Sequence, residues 1–186
     1  MNRELRPDVL LENYLDLFTL KALKGPILDL ACGDGHNGIF LASRGLPVIL
    51  ADRSEGALLQ AKESAEALGV LVKLWQVDLE SEDLNPFEPD SFGAILVFRY
   101  LHRPLIPCIR KALRRGGILI YETFTIFQRE LGKPRNPDHL LNPNELLGWF
   151  RDWHILHYFE GIEHYFEGIE EEPGKRAIAR IVCWRP

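Results

Sequence analysis

Residues 27–42 read ILDLACGDGHNGIFLA, and the organisation of the chain follows from them. Ile27, Leu28 and Leu30 make a short apolar run, the pattern of a strand buried on both faces. Gly33 and Gly35 mark a turn, and residues 36–44 then carry the spacing of a helix that stops at Gly45. Strand, glycine turn and helix in that order open an α/β unit. Lacking a Cβ, Gly33 and Gly35 let backbone N–H groups come close to a ligand. The spacing is not the GxGxxG of a dinucleotide site, and no Gly-Lys-Ser/Thr follows to make a P-loop.

The alternation continues downstream. Residues 47–51 read as a second strand. Ser54 caps a helix that Gly69 stops, and residues 70–75 read as a third strand. Residues 92–98 (FGAILVF) are a fourth. Residues 104–115 read as a helix closed by Gly116-Gly117, and residues 118–122 as a fifth strand. Upstream, Val9, Leu10, Tyr14, Leu17 and Phe18 predict one amphipathic helix over residues 8–23. Residues 144–150 predict a short helix. Residues 153–159 and 177–184 are strands with no helix between them, hence an antiparallel pair at the sheet edge. Residues 125–142 form a long irregular stretch rich in Pro, Asn and charge, the profile of a functional lid or a disordered segment. HYFEGIE at residues 157–163 is repeated letter for letter at 164–170, a tandem duplication. One copy is expected to hold the strand pairing and the other to be extruded as loop.

The 186 residues suit a single domain over 1–186, with an N-terminal helix or lid over 1–24 and the duplication in the terminal hairpin. Lys and Arg total 22 against 27 Asp and Glu, a net charge of −5. That balance argues against binding nucleic-acid backbones. Six cations and no acid fall within residues 99–115, a solvated helix face and the only plausible RNA footprint; six acids fall within 160–172. Cys32, Cys108 and Cys183 are odd in number and widely spaced, as free thiols in a reducing compartment are. No apolar run approaches the ~20 residues that cross a bilayer, and residues 1–6 lack the layout of a signal peptide. The expectation is a cytoplasmic protein, monomer or homodimer, without membrane contact.

Acidic residues stand at the ends of the second and third strands. Asp52 follows the glycine turn by about 20 residues, where a carboxylate accepts from ribose hydroxyls in nucleotide-binding α/β folds. Asp78, in QVDLE, is placed to accept from an adenine amino group. Ligands of open α/β sheets bind at these carboxyl ends.

From about Leu28 to Trp184 the chain resembles the class I S-adenosylmethionine-dependent methyltransferases. ILDLACGDGHNGIFLA looks like their first motif, ADRS their acidic second-strand end, QVDLE their adenine loop and LRRGGILIYETF their fifth-strand segment. RYLHRPL, LIYETF and NPNELL are similar to a small tellurite-resistance-like subgroup. The resemblance implies a Rossmann-like sheet of seven strands, mostly parallel with one antiparallel strand, in order 3-2-1-4-5-7-6, with helices on both faces. It implies S-adenosylmethionine as methyl donor and S-adenosylhomocysteine as product. Asp29, Gly33 and Gly35 would hold the methionine part, Asp29 near its amino group directly or through water. Asp52 would bind the ribose, and Asp78 with the Leu79 backbone the adenine. Ala31, Arg53 and Phe98 would line the same cleft. Cys32 would serve packing.

Methyl transfer from a sulfonium is an in-line displacement, so alignment matters most and no triad or metal is needed. A base is required only for a protonated nucleophile. Arg99, Tyr100 and His102 at the end of the fourth strand are the catalytic candidates, with His102 as base. Arg99 and Arg103 would bind an anionic substrate. Thr123, Phe124 and Tyr14 complete the substrate set. By alternation Tyr121 and Thr123 share one face and Glu122 and Phe124 the other, and one pair faces the cleft. His154 and His157, three apart in a strand, are expected on opposite faces, and no metal site is expected. With no chain left for a recognition domain, the expected acceptor is a small molecule. The rivals are an RNA or protein methyltransferase and a cofactor-binding protein without transferase activity.

Overall fold

Ile27–Leu30 (β1) is buried at all four positions and Phe92–Phe98 (β4) at its first six, as strands covered on both faces must be. Around this pair the computed structural model, which describes residues 6–20, 23–81, 86–165 and 174–186, arranges Val48–Asp52 (β2), Lys73–Gln76 (β3), Leu113–Phe124 (β5), His154–Tyr165 (β6) and Gly174–Trp184 (β7). The sheet order is β3-β2-β1-β4-β5-β7-β6. β1 to β5 pair in parallel, and β7 runs antiparallel to both of its neighbours. This is the order the resemblance implied.

Strand alternation sends two sets of side chains to two cores. Leu28, Leu30, Ile95, Val97, Leu119 and Tyr121 pack on one face with Ile106–Ala112 (α5) and Glu145–Phe150 (α7). Ile27, Ala94, Leu96, Ile118 and Ile120 pack on the other with Val9–Asn13 (α1), His36–Ala42 (α3) and Glu55–Ala67 (α4). Helices therefore cover both faces. Among the described residues, no helix is long and apolar enough to cross a membrane.

Four local expectations change. The single helix over residues 8–23 is two short ones, α1 and Asp16–Leu20 (α2), broken at Tyr14. The break seats Leu10, Leu11 and Phe18 in one core. The helix over 104–115 becomes a 3₁₀ turn, Arg103–Leu105, followed by α5, and it ends at Ala112. Leu113 already pairs with Phe92 as strand, and the register shifts between Phe92 and Ala94. Gly116, at φ 73°, and Gly117, where a Cβ would stand 2.8 Å from the Arg114 carbonyl, mark this irregularity and not a helix end.

The third change is in β6. The first HYFEGIE copy pairs along its whole length with β7. His164 and Tyr165 of the second copy pair with Lys175 and Gly174, and its other five residues lie outside the described ones. A bulge between Ile155 and His157 puts His154 opposite Trp184 and His157 opposite Val182. Trp184 and Val182 share a face, so the two histidines do as well, where regular alternation predicted opposite faces. Lastly, residues 125–142 are anchored. Ile126 donates to the Leu141 carbonyl and Leu141 to that of Phe124, each at 2.9 Å. Gln128–Leu131 (α6) is held by the buried Gln128 amide, which accepts from Ala177 and donates to the Lys133 carbonyl.

Candidate active site

The chain order reverses between β1 and β4, the switch point at which open α/β sheets hold ligands. Both strands end there in a non-glycine residue with left-handed backbone, Ala31 at φ 54° and Arg99 at φ 56°. Such conformations cost of order 1–3 kcal/mol and cluster at functional sites. Arg99 is held in place by its own N–H, which donates to the Glu122 carbonyl at 2.8 Å. Its side chain stands between two hollows and lines both.

The first hollow, about 330 Å³, is lined by Ala31, Asp52, Arg53, Asp78, Leu79 and Tyr100 among others. Asp52 accepts from the amides of Gly33 and Ser54, both at 2.9 Å. It thereby ties the end of β2 to the glycine turn. A Cβ on Gly33 would meet nothing within 4 Å, so its backbone faces open space. Gly35 is glycine for another reason: a Cβ there would stand 2.8 Å from Leu50 and 3.0 Å from Ala61. Asp29 sits one layer below, 2% exposed, accepting from the Gly38 amide at 2.8 Å. Burial raises its carboxyl to about 7 against the pull of that amide. Open backbone at a glycine turn, carboxylates at two successive strand ends and a buried acid beneath form a donor–acceptor set that fits a nucleoside joined to an amino acid.

The second hollow, about 450 Å³, lies on the other side of Arg99. Arg6, Lys133, Arg176 and His36 line it together with Asp8, Phe124 and Tyr165. The Asp8 N–H donates to the Asn37 side chain at 2.7 Å, and its carboxylate stands 3.5 Å from the Arg99 guanidinium, pinning the N-terminal segment to the rim. Beneath it lies a charge group that is half-buried at its arginines and at Glu163 and fully buried at Glu122. Arg176 and Arg180 of β7 both bind Glu163 of β6, Arg176 through Nε at 2.6 Å. Each also stands 3.5 Å from Glu122, which is 0% exposed. Burial, and then Asp8, push the Glu122 carboxyl up, against the pull of Arg176, Arg180 and Arg99.

Of the residues singled out from sequence, the structure gathers Ala31, Asp52, Arg53, Asp78, Leu79, Arg99 and Tyr100 at the first hollow, with Gly33 joined to it through Asp52. It gathers Arg99 and Phe124 at the second. Phe98 packs into the core with Leu96, because alternation turns it from the cleft. His102 lines a side depression with His139, away from the cationic hollow. Arg103 is not available to an anionic substrate. Its guanidinium forks onto Glu145 at 2.7 and 2.9 Å and donates to the carbonyls of Asp138 and Leu140. Burial opposes ionisation of Glu145, but Arg103 and the Asn142 amide outweigh it and hold the carboxyl below its ordinary value. Thr123 is 1% exposed on the face opposite Phe124, and Tyr14 packs against the His157 ring at 5.7 Å. The pair that turns toward the hollow is Glu122 and Phe124. Cys32 packs in the core with Ile39 and Leu50, and burial pushes its thiol up.

Sequence reading missed Asp8, Lys133, Arg176 and the placement of Arg176 and Arg180 between Glu122 and Glu163. One signal was present: Arg176 and Arg180 interrupt an apolar strand on the same face, an arrangement that needs buried partners.

Residues 27–117 match a family model described as "Methyltransferase domain". The chain is 26% identical over 173 residues to a tRNA 5-carboxymethoxyuridine methyltransferase of Escherichia coli O157:H7, covering 77% of this chain and 66% of that protein. It is 24% identical over 140 residues to a probable S-adenosyl-L-methionine-dependent methyltransferase TehB of Haemophilus influenzae, covering 73% and 48%. The chain thus spans less than two thirds of the first and about half of the second. Among solved structures, TehB from Haemophilus influenzae superposes with a TM-score of 0.75 at 20% identity, over 94% of this chain and 62% of that one. The [4+2]-cyclase SpnF superposes at 0.65 and 20%, over 94% and 80%.

Proposed function

We propose that the chain, which matches a methyltransferase-domain model over residues 27–117 and is similar to TehB, is a class I S-adenosylmethionine-dependent methyltransferase that methylates a small acceptor carrying an anionic group. The observation that carries this reading is the cationic hollow that meets the first hollow at Arg99. S-adenosylmethionine would occupy the first hollow. Asp52 would take the ribose hydroxyls, Asp78 and the Leu79 backbone the adenine, and Asp29 would attract the ammonium group past Gly33. Bound there, the cofactor supplies an activated methyl group. The chain's own residues contribute placement. Arg99, Lys133 and Arg176 hold the anionic end of the acceptor, Phe124 and Tyr165 wall it, and the pinned segment at Asp8 limits water. Orientation of this kind is worth up to ~7–11 kcal/mol.

The test is a methyl-transfer screen over small carboxylates, metalloid oxyanions, thiols and RNA, read as S-adenosylhomocysteine formed. The expected result is turnover of an anionic small molecule whose KM rises about tenfold or more in Arg99→Gln, since hydrogen bonds to charged groups contribute ~1.5–3 kcal/mol. Cofactor binding without turnover across the panel would favour a protein that binds the cofactor and does no transfer.

One relative favours a second reading. The carboxymethoxyuridine methyltransferase acts on tRNA, and a carboxymethoxy group is also an anion. On the basic face, however, Arg103, Arg110 and Arg185 are tied to Glu145, Asp152 and Asp90. Turnover confined to RNA, with steeply salt-dependent binding, would decide for this reading.

A further inference from the structure

Glu122 is the most anomalous polar group in the described structure. Both of its carboxylate oxygens are buried, and neither has a hydrogen-bond partner among the described residues. The two guanidiniums beside it stand at 3.5 Å because they make their short bonds to Glu163. Leaving a buried acceptor unmade costs ~1–3 kcal/mol, more when it is charged, so such a group calls for an explanation. Its surroundings supply one. Phe124, two residues along on the same face of β5, lines the cationic hollow, as do Asp8, Arg99 and Arg176. Glu122 does not itself line that hollow; it lies fully buried beneath it, next to Phe124, Asp8, Arg99 and Arg176, which do.

Resting on the anionic-acceptor reading, we propose that the hollow selects ligands carrying two groups: an anionic group for Arg99, Lys133 and Arg176, and beside it a hydrogen-bond donor (hydroxyl, thiol or amine) that Glu122 receives. A ligand with only an anionic group leaves the Glu122 oxygens unmade. One with both groups satisfies them, and that difference is specificity. The aromatic walls Phe124 and Tyr165 suit a planar ring as the spacer between the two groups.

The experiment is calorimetric titration of the full chain with benzoate and with 2-, 3- and 4-hydroxybenzoate. The expected result is that at least one hydroxybenzoate binds about tenfold tighter than benzoate, the order expected for one hydrogen bond to a charged group. In Glu122→Gln the ratio should fall below about threefold, while affinity for benzoate is kept or rises, because a negative charge has been removed from beneath an anion. A merely structural Glu122 would lower both affinities together. Equal binding of all four probes by the wild type, or a preference that survives Glu122→Gln, overturns the inference and leaves the anionic site standing. Failure of all four to bind overturns both. If Glu122→Gln does not fold, the wild-type ratio is followed as pH falls. It should decline as Glu122 takes up its proton. Asp8, Arg99, Arg176 and Arg180 act on Glu122, Glu163 shares the two β7 arginines, His36 lines the same hollow, and His157 feels the charge of Arg180. Changes in their charge act on every probe alike and divide out of the ratio, so a ratio independent of pH overturns the inference.

Discussion

Asp29 pairs a cost in stability with a proposed role in holding the cofactor. It was legible in the sequence as the acid inside the first strand, but only packing shows that it is buried without direct access to the hollow. Its carboxyl is raised from 3.8 to about 7 by burial, so between these values the native state binds more protons than the unfolded chain. Stability through this group therefore rises as pH falls from about 7 to about 4, and the full cost of the buried charge, ~4 kcal/mol, applies above pH 7. Asp29→Asn should melt higher than the wild type at pH 8, by up to roughly 10 °C, with the gap closing toward pH 4. Melting curves across that range check it. The same substitution should weaken S-adenosylhomocysteine binding about tenfold, a trade of stability against function. Asp52→Ala should weaken it at least as much, since it removes a candidate ribose acceptor and the anchor of the Gly33 amide. Unchanged calorimetric affinity would sink the cofactor assignment.

At the scale of elements, β6 carries a test of what the duplication does. Glu163, the last residue of the first copy, is the carboxylate between Arg176 and Arg180. Deleting residues 163–169 joins Ile162 to Glu170, so a glutamate returns to the same place. The deletion should shift the melting temperature by no more than ~3 °C, about 1 kcal/mol. Glu163→Ala in the full chain removes the close partner of two half-buried guanidiniums and should cost ~2–3 kcal/mol, a drop of roughly 6 °C or more. Comparable losses in both variants would mean that the second copy is structural. The repeat itself was plain in the sequence. The bulge before His157 was not, because a one-residue register shift is decided by how β6 meets Trp184 and Val182. The Gly116-Gly117 pair misled for a similar reason: glycine serves a helix end and a strand irregularity equally well, and the pairing of Leu113 with Phe92 chooses between them.

Over the whole molecule, charge is sorted in space as well as along the chain. The second hollow gathers Arg6, Arg99, Lys133 and Arg176, whereas the first mixes Arg53 with Asp52, Asp78 and Glu80. Raising NaCl from 0.05 to about 0.5 M, which shortens the screening length to a few ångström, should weaken carboxylate binding several-fold and change S-adenosylhomocysteine affinity less than about twofold. Parallel titrations at the two salt concentrations check this. Equal losses for both ligands would place the carboxylate elsewhere than the cationic hollow.

Periodicity, turn glycines and strand-end acids are properties of short stretches. Read with the family resemblance, they determined the strand order, the two-faced core and several residues of the first hollow, Ala31, Asp52, Arg53, Asp78 and Leu79 among them. Arg99 and Phe124 of the second hollow were also legible, but its assembly was decided by tertiary structure. Asp8, Arg99, Lys133 and Arg176 come from four distant parts of the chain, and no local pattern relates them. Glu122 looked like one of four candidates at a strand end until antiparallel pairing with β7 set Arg180 opposite it and turned its face toward the hollow. Short-range sequence specifies where backbone turns and which face is apolar. Which charges meet in the interior depends on register between strands far apart in the chain, and register exists only once the sheet has formed.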